Sequence, residues 1–270
     1  MMATETKADI SAAIVSAAAA PVAGSEYVFA VLVRVIWNCF LESRGLRPAG
    51  DATEPTREKI VREIDSRGLF RIDARRTTPR GARDYVIIYV LSDKGKYTHK
   101  SDQLASLLLG VKSEPGARDG KLDEVILVAP PEFFYKKNLV GVVEGYQKAE
   151  APETPADLEG KAAFYSMYPY HLFVTDLRKR KDIPRHTVMS PEDADRELKA
   201  MRLSGRDVPT IYETDPPAVW EGARAGQLLK IVRDSETAMT AVTYRLVIRP
   251  TVLPFSARQK AAPSEREERE

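Results

Sequence analysis

Two nearly continuous β-branched and apolar runs, Tyr85 to Leu91 and Glu124 to Ala129, bracket a stretch from His99 to Leu109 that reads as a helix. A strand with one solvent-facing side alternates polar and apolar residues. A strand that is apolar throughout is covered on both faces, which is the condition of a parallel sheet flanked by helices. Strand, helix and strand in that order predict a βαβ unit and so an α/β fold. The neighbouring segments extend it. Residues 131–148 predict a further helix after the Pro130-Pro131 start, and Phe164 to Val174 a further strand broken near Pro169. Upstream, Ser25 and Gly45 punctuate a helix over 26–44, with Arg34, Asn38 and Glu42 forming one narrow polar stripe on an otherwise apolar cylinder. A second helix is expected over 54–66, with Ile60, Val61 and Ile64 inward and Gly68 as its stop. Residues 113–120 and 148–161 have the composition of loops.

The pattern predicts one α/β domain over 25–175. It closes at Arg178-Lys179-Arg180-Lys181, because four consecutive cations cannot be buried without an equal set of anions. A second, smaller α/β domain is expected over 176–250. In it, Ser190-Pro191-Glu192-Asp193 is a compact helix start, Leu198, Met201 and Arg202 follow at helical spacing, and Gly205 is the expected stop. Gln227 to Val232 and Val242 to Ile248 then read as a hairpin joined by Ser235 to Ala241. The Ala-rich residues 1–24 are expected to be a disordered leader, since Glu5, Lys7 and Asp9 do not suit a signal peptide, and the charged residues 251–270 a disordered tail.

Composition narrows the chemistry. With 41 Lys and Arg against 39 Asp and Glu, the formal charge is only +2, so any nucleic-acid contact must come from local patches. Cys39 is the one cysteine and there are three histidines, His99, His171 and His186, without metal-ligand spacing; a packed or hydrogen-bonded role is expected for each. The stretch Tyr27 to Leu41, interrupted by Arg34 and Asn38, falls short of the ~20 apolar residues a bilayer-crossing helix needs, and no membrane partner is expected. Gly116 to Lys121 has the wrong spacing for a phosphate loop, no nucleophile elbow is present, and Cys39 stands among residues that raise a thiol pKa. Neither a cofactor nor a small-molecule substrate is implied. One enzymatic reading stays open: Asp84 with Asp119 and Lys121 could form a nuclease-like metal site, although Asp119 and Lys121 stand in a Gly-rich loop rather than inside a strand.

The last third carries a more specific constellation: Ile183-Pro184-Arg185-His186, Val208-Pro209-Thr210-Ile211, Asp215-Pro216, Gly226-Gln227-Leu228-Leu229-Lys230-Ile231-Val232-Arg233, Ser235-Glu236-Thr237-Ala238 and Val242-Thr243-Tyr244-Arg245. Pro184 and Pro209 set extended chain, Asp215-Pro216 opens a turn, and Gly222 and Gly226 permit tight backbone before the hairpin. In order and spacing these motifs resemble the assembly domain of the fifth shared subunit of eukaryotic RNA polymerases I, II and III, a family that includes a shorter archaeal polymerase counterpart. Upstream, Ser43-Arg44-Gly45 and the order of strands and helices resemble more faintly the eukaryotic jaw domain that the archaeal counterpart lacks.

The resemblance implies a non-catalytic polymerase subunit: an N-terminal jaw near downstream duplex DNA and a C-terminal assembly domain docked on the largest polymerase subunit. Its implied docking residues are Pro184, His186, Asp215, Pro216, Gly226, Gln227, Lys230, Arg233, Ser235, Glu236, Thr237, Tyr244 and Arg245. Ala129-Pro130-Pro131-Glu132 stands where the family carries a Thr-Pro-Ser-Ala-like segment near DNA, and Lys136 and Lys137 follow as candidate phosphate contacts. Ala238-Met239-Thr240 and Trp220-Glu221-Gly222 also depart from the family pattern, which points to a divergent lineage such as a large DNA virus. A nuclear location is implied, or a viral factory or virion if the source is viral. A transcription cofactor that borrows the module is the remaining alternative.

Overall fold

The computed structural model describes residues 25–50, 53–80, 83–114, 119, 121–149, 163–204, 207–235 and 239–249. The chain divides between Asp176 and Leu177 into two compact units, each with its own sheet.

The first unit opens with α1 (Ser25–Val35), which continues through a π-helical segment, Ile36–Phe40, and a last α turn, Leu41–Ser43. Its apolar cylinder is buried at Phe29, Leu32, Val33, Ile36 and Phe40, while Asn38 and Glu42 stay at the surface as the stripe requires. β1 (Leu46–Pro48) follows, then α2 (Arg57–Arg67), which starts later than the expected residue 54 because Thr56 is its N-cap, accepting from Lys59 N–H at 3.3 Å. Gly68 ends it at φ +74°. Ile60 and Ile64 are buried, whereas Val61 is half-exposed, a correction to the expected inward face.

The sheet runs β1-β2-β3-β4-β5, with β2 (Leu69–Arg80), β3 (Arg83–Leu91), β4 (Leu122–Ala129) and β5 (Phe164–Pro169). The β1–β2 and β2–β3 pairs are antiparallel; β3–β4 and β4–β5 are parallel, as the βαβ pattern requires. Helices α3 (Ser101–Val111) and α4 (Lys137–Ala149) make the crossovers. Both connections step the same way along the sheet, so right-handed crossovers place these helices on one face, where they pack together. The other face is left to α1 and α2, which also touch each other. All eight residues of β4 are buried.

Local chemistry shifts several expected boundaries. The α3 start moves from residue 99 to Ser101 because Lys96–Thr98 forms a 3₁₀ turn, pinned by the Thr98 hydroxyl on the carbonyls of Ser92 and Gly95 at 2.9 and 2.8 Å. The expected helix over 131–148 is a 3₁₀ turn, Pro131–Tyr135, followed by α4. The loop expected from residue 148 therefore begins inside a helix, and residues 150–162 lie outside the described part. Beyond Pro169, Tyr170–Phe173 is a 3₁₀ turn rather than strand.

Strand β2 had no place in the sequence reading, and its buried charge explains why. Phe70, Ile72 and Ala74 face inward, and Arg76, next on the same side, is also buried. Tyr85 pairs with Leu122 and Val86 with Glu124, so β4 carries one extra residue, Asp123, at a bulge. Consecutive strand residues ordinarily point to opposite faces; a bulge re-aims one of them. Here both carboxylates meet the Arg76 guanidinium, whose Nε donates to Asp123 and whose Nη2 donates to Glu124 at 3.1 Å. Arg44, just after the first helix, donates to the other Glu124 oxygen at 3.2 Å, and Ser166 of β5 does so at 3.2 Å. Burial opposes the Arg44 charge, yet the field of Glu124 prevails and raises its pKa.

The second unit is smaller. Its sheet runs β6-β8-β9-β7, formed by β6 (Arg185–Val188), β7 (Thr210–Tyr212), β8 (Leu228–Ser235) and β9 (Met239–Ile248). Helix α5 (Pro191–Ala200) starts as expected, with Ser190 accepting from Asp193 N–H at 3.1 Å and Pro191 at the first position. It stops at Ala200 rather than Gly205, because Arg202 turns to φ +56°, a left-handed conformation that breaks the helical ladder. Asp215-Pro216 does more than open a turn: it starts α6 (Pro216–Glu221). The hairpin strands extend through Ser235 and from Met239, so the expected Ser235 to Ala241 connection shortens to residues 236–238, which lie outside the described part.

Candidate docking face of the second unit

The β-strand period sorts the expected docking residues before any contact is considered. In the β8–β9 ladder Lys230 pairs with Tyr244, Leu229 with Arg245 and Arg233 with Ala241. Directly paired residues share a face, and neighbours along a strand do not. Lys230 and Tyr244 therefore stand on one side of the sheet and Arg233 and Arg245 on the other. The adjacency of Tyr244 and Arg245 in the sequence concealed this.

The Arg245 side carries the buried core, although Arg245 and Arg233 themselves are exposed. Leu229 and Val247 join Ala218 and Ala223 in the buried core, with Val188 and Ile211 packed at its margin. Trp220 of α6 is only 1% exposed. At the edge, Arg245 Nη1 donates to the Thr210 carbonyl at 3.1 Å. His186 Nδ1 donates to the Pro184 carbonyl at 2.7 Å, which sets its tautomer. Burial lowers the His186 pKa, the Pro184 carbonyl opposes that, and the nearby Arg245 charge lowers it further. His186 and Pro184 thus brace the start of β6.

The glycine-containing corner braces the same core. Gly226, at φ +90°, donates to the Val247 carbonyl at 2.9 Å, and Gln227 Oε1 accepts from Arg224 N–H at 2.8 Å. Asp215 accepts from Tyr212 N–H at 3.2 Å through its side chain. Ser235 is the last residue of β8, while Glu236 and Thr237 lie outside the described part. Pro216, Asp215, Gly226 and Gln227 are placed to shape the module.

The Tyr244 side is covered less completely: Leu228 on it is buried, while Lys230 and Tyr244 are half-exposed. Tyr244 donates its hydroxyl to Glu197 of α5 at 3.1 Å; burial first, and the Glu197 carboxylate second, raise its pKa. No residue of α5 is buried, so the helix rests on this face without sealing it. The same strand parity places Val242 and Tyr212 here, each 46% exposed. Met201 and Leu203 at the end of α5 are also exposed. Apolar side chains beside a cation and a phenol make a surface suited to a protein partner. Neither Val242 nor Tyr212 is among the expected docking residues; the signal that finds them is their place in the period-2 pattern of β9 and β7.

The remaining candidates lie in the first unit. Lys137 is exposed, whereas Lys136 is half-buried and donates to the Thr98 carbonyl at 2.6 Å and to His99 Nδ1 at 3.0 Å. Asp84 accepts from Arg75 at 2.7 Å. The carboxylates inside the central strand are Asp123 and Glu124, whose charges two arginines balance, rather than Asp119. Among the described residues no group of three metal-ligating side chains converges, and no helix is long and apolar enough to cross a membrane.

Comparison with known proteins bears directly on this module. The family described as RNA polymerase Rpb5, C-terminal domain, matches residues 175–247. The DNA-directed RNA polymerase RPB5 homolog of African swine fever virus (isolate Pig/Kenya/KEN-50/1950) is 32% identical over 195 residues, 72% of this chain and 86% of that protein. The DNA-directed RNA polymerase subunit Rpo5 of Thermofilum pendens is 42% identical over 74 residues, 27% of this chain and 92% of that one. The DNA-directed RNA polymerases I, II, and III subunit RPABC1 of Caenorhabditis elegans is 33% identical over 107 residues, 40% of this chain and 50% of that one.

Proposed function

From the premise that this chain belongs to the Rpb5 family of RNA polymerase subunits, a non-catalytic family, we propose that its second unit docks on the largest subunit of a multisubunit DNA-dependent RNA polymerase. The first unit then serves as a lower jaw near downstream duplex DNA. The observation that carries this reading is the less covered sheet face with Tyr244, Lys230, Val242 and Tyr212, in the segment that the Rpb5 C-terminal family matches. The residues on the core side, Arg233 and Arg245, act at the rim of the contact or not at all. The length shared with the viral relative, 195 residues against 107 with the nematode one, supports a source in a large DNA virus. The chain then belongs in a viral factory or virion, and otherwise in the nucleus.

A tagged full chain expressed in its source cells tests this. Both large polymerase subunits should co-purify in stoichiometric amount, and Val242→Asp with Tyr244→Ala should reduce their recovery by roughly tenfold or more, the loss of one or two interface anchors. Substoichiometric recovery would favour a transient cofactor. Undiminished recovery in the double variant would remove this face from the contact.

A further inference from the structure

Where the end of α2 meets the turn after β3, two backbones touch without side chains between them. A Cβ on Gly95 would lie 2.6 Å from the Gly68 carbonyl oxygen, so only glycine fits there. Ser92 N–H donates to that carbonyl at 2.9 Å, and Gly68 N–H to Ile64 O at 2.8 Å, which turns the carbonyls of this helix end toward partners of their own. Beside this contact is a cleft of about 350 Å³, floored by Phe29 and Ile64. Arg67, Lys94 and Lys96 line it, with Asp65 as the one carboxylate in its wall.

The three cations differ from four other arginines of the unit. Arg44, Arg71, Arg75 and Arg76 each hold a carboxylate. Arg67 and Lys94 are exposed, and the side chain of neither is hydrogen-bonded or ion-paired among the described residues; Lys96 lies 5.1 Å from the Tyr97 ring centroid. Cations without a protein partner hold only mobile counterions, which a polyanion displaces with a gain in entropy. Lys136 is in the opposite situation, since leaving Thr98 and His99 would break two hydrogen bonds.

We propose that this cleft binds the phosphate backbone of duplex DNA, with Arg67, Lys94 and Lys96 as the contacts and Lys136 as a strut joining the turns after β3 and β4. The choice of duplex DNA as the ligand rests on the jaw reading above. Binding of the full chain to a labelled duplex of roughly 30 base pairs, followed by anisotropy from about 50 to 200 mM salt, is the test. Replacing all three cations by Ala should make the slope of log affinity against log salt shallower by about two to three, while Lys136→Ala leaves it unchanged. An unchanged slope in the triple variant, or no binding by the unaltered chain, overturns the site. Co-purification with the large subunits stays intact in either case if the polymerase reading is correct, and is lost only if that reading fails.

Discussion

The two sheets treat their surfaces in opposite ways. In the first unit β4 is buried at all eight positions, and even its carboxylates are inside, neutralised by arginines brought from β2 and from the end of the first helix. In the second unit Val247 is the one buried residue of β9, and apolar side chains such as Val242 and Tyr212 remain at the surface. A finished interior hides both its hydrocarbon and its charge. The second sheet is finished more fully on one face than on the other, and its stability and its function are therefore read out by different residues: the core face by Leu229 and Trp220, the less covered face by whatever docks on it. Tryptophan gives each unit its own reporter, Trp37 in the first and Trp220 in the second.

The strongest way to break this contrast is to unbalance the buried charge. The side chains of Arg76, Asp123 and Glu124 are 5%, 4% and 2% exposed. Arg76→Ala leaves two carboxylates in the interior without the guanidinium that joins them, and removal of one member of a buried pair costs about 3–5 kcal/mol. Urea unfolding followed by Trp37 fluorescence in a Trp220→Phe background should show that loss. The Trp220 signal in the complementary Trp37→Phe background should keep its midpoint. A loss below about 1 kcal/mol would mean that water reaches the cluster and that the first unit is less sealed than its accessibility implies.

The cap of α5 sharpens the other side of the contrast. A helix with no buried residue depends on its termini and its dipole more than on packing, and Ser190 supplies the N-terminal bond. Ser190→Ala should lower the stability of the second unit by about 1 kcal/mol, seen by Trp220 and not by Trp37. A change several times larger would show that α5 is integral to the core rather than laid on the less covered face.

How much of this was legible in the sequence follows from the range of the forces involved. Strands β3 and β4 announced themselves because continuous apolar runs are a local signal, and the start of α5 did so through Ser190-Pro191. Strand β2 did not. Arg71, Asp73, Arg75 and Arg76 read as solvated chain until Arg76 is seen against Asp123, 47 residues away, and a bulge is needed before Asp123 can face it. The docking motifs were recognisable as a family pattern. Which of their side chains share a face depended on strand register, and that separated Tyr244 from Arg245.

The smallest expected effect lies at the rim of the first unit, where its charges are partly wet. The Arg71 guanidinium, hydrogen-bonded to Glu114 at 2.8 Å, holds that carboxyl below the ordinary carboxylate range, against a smaller opposing effect of burial. The folded form therefore binds the Glu114 proton less tightly than the unfolded chain does. The contribution is complete above the unfolded pKa of about 4.3 and is lost as pH falls through the lower folded value. With the Glu114 side chain still 30% exposed at the rim, screening keeps this contribution to about 1 kcal/mol or less. Glu114→Gln should thus lower stability slightly at neutral pH and flatten its decline between roughly pH 5 and 3, measured by the Trp37 midpoint. A decline as steep as in the unaltered chain would assign the acid sensitivity of this unit to the buried carboxylates, and would move the boundary between wet and sealed charge inward from Arg71 to Arg76.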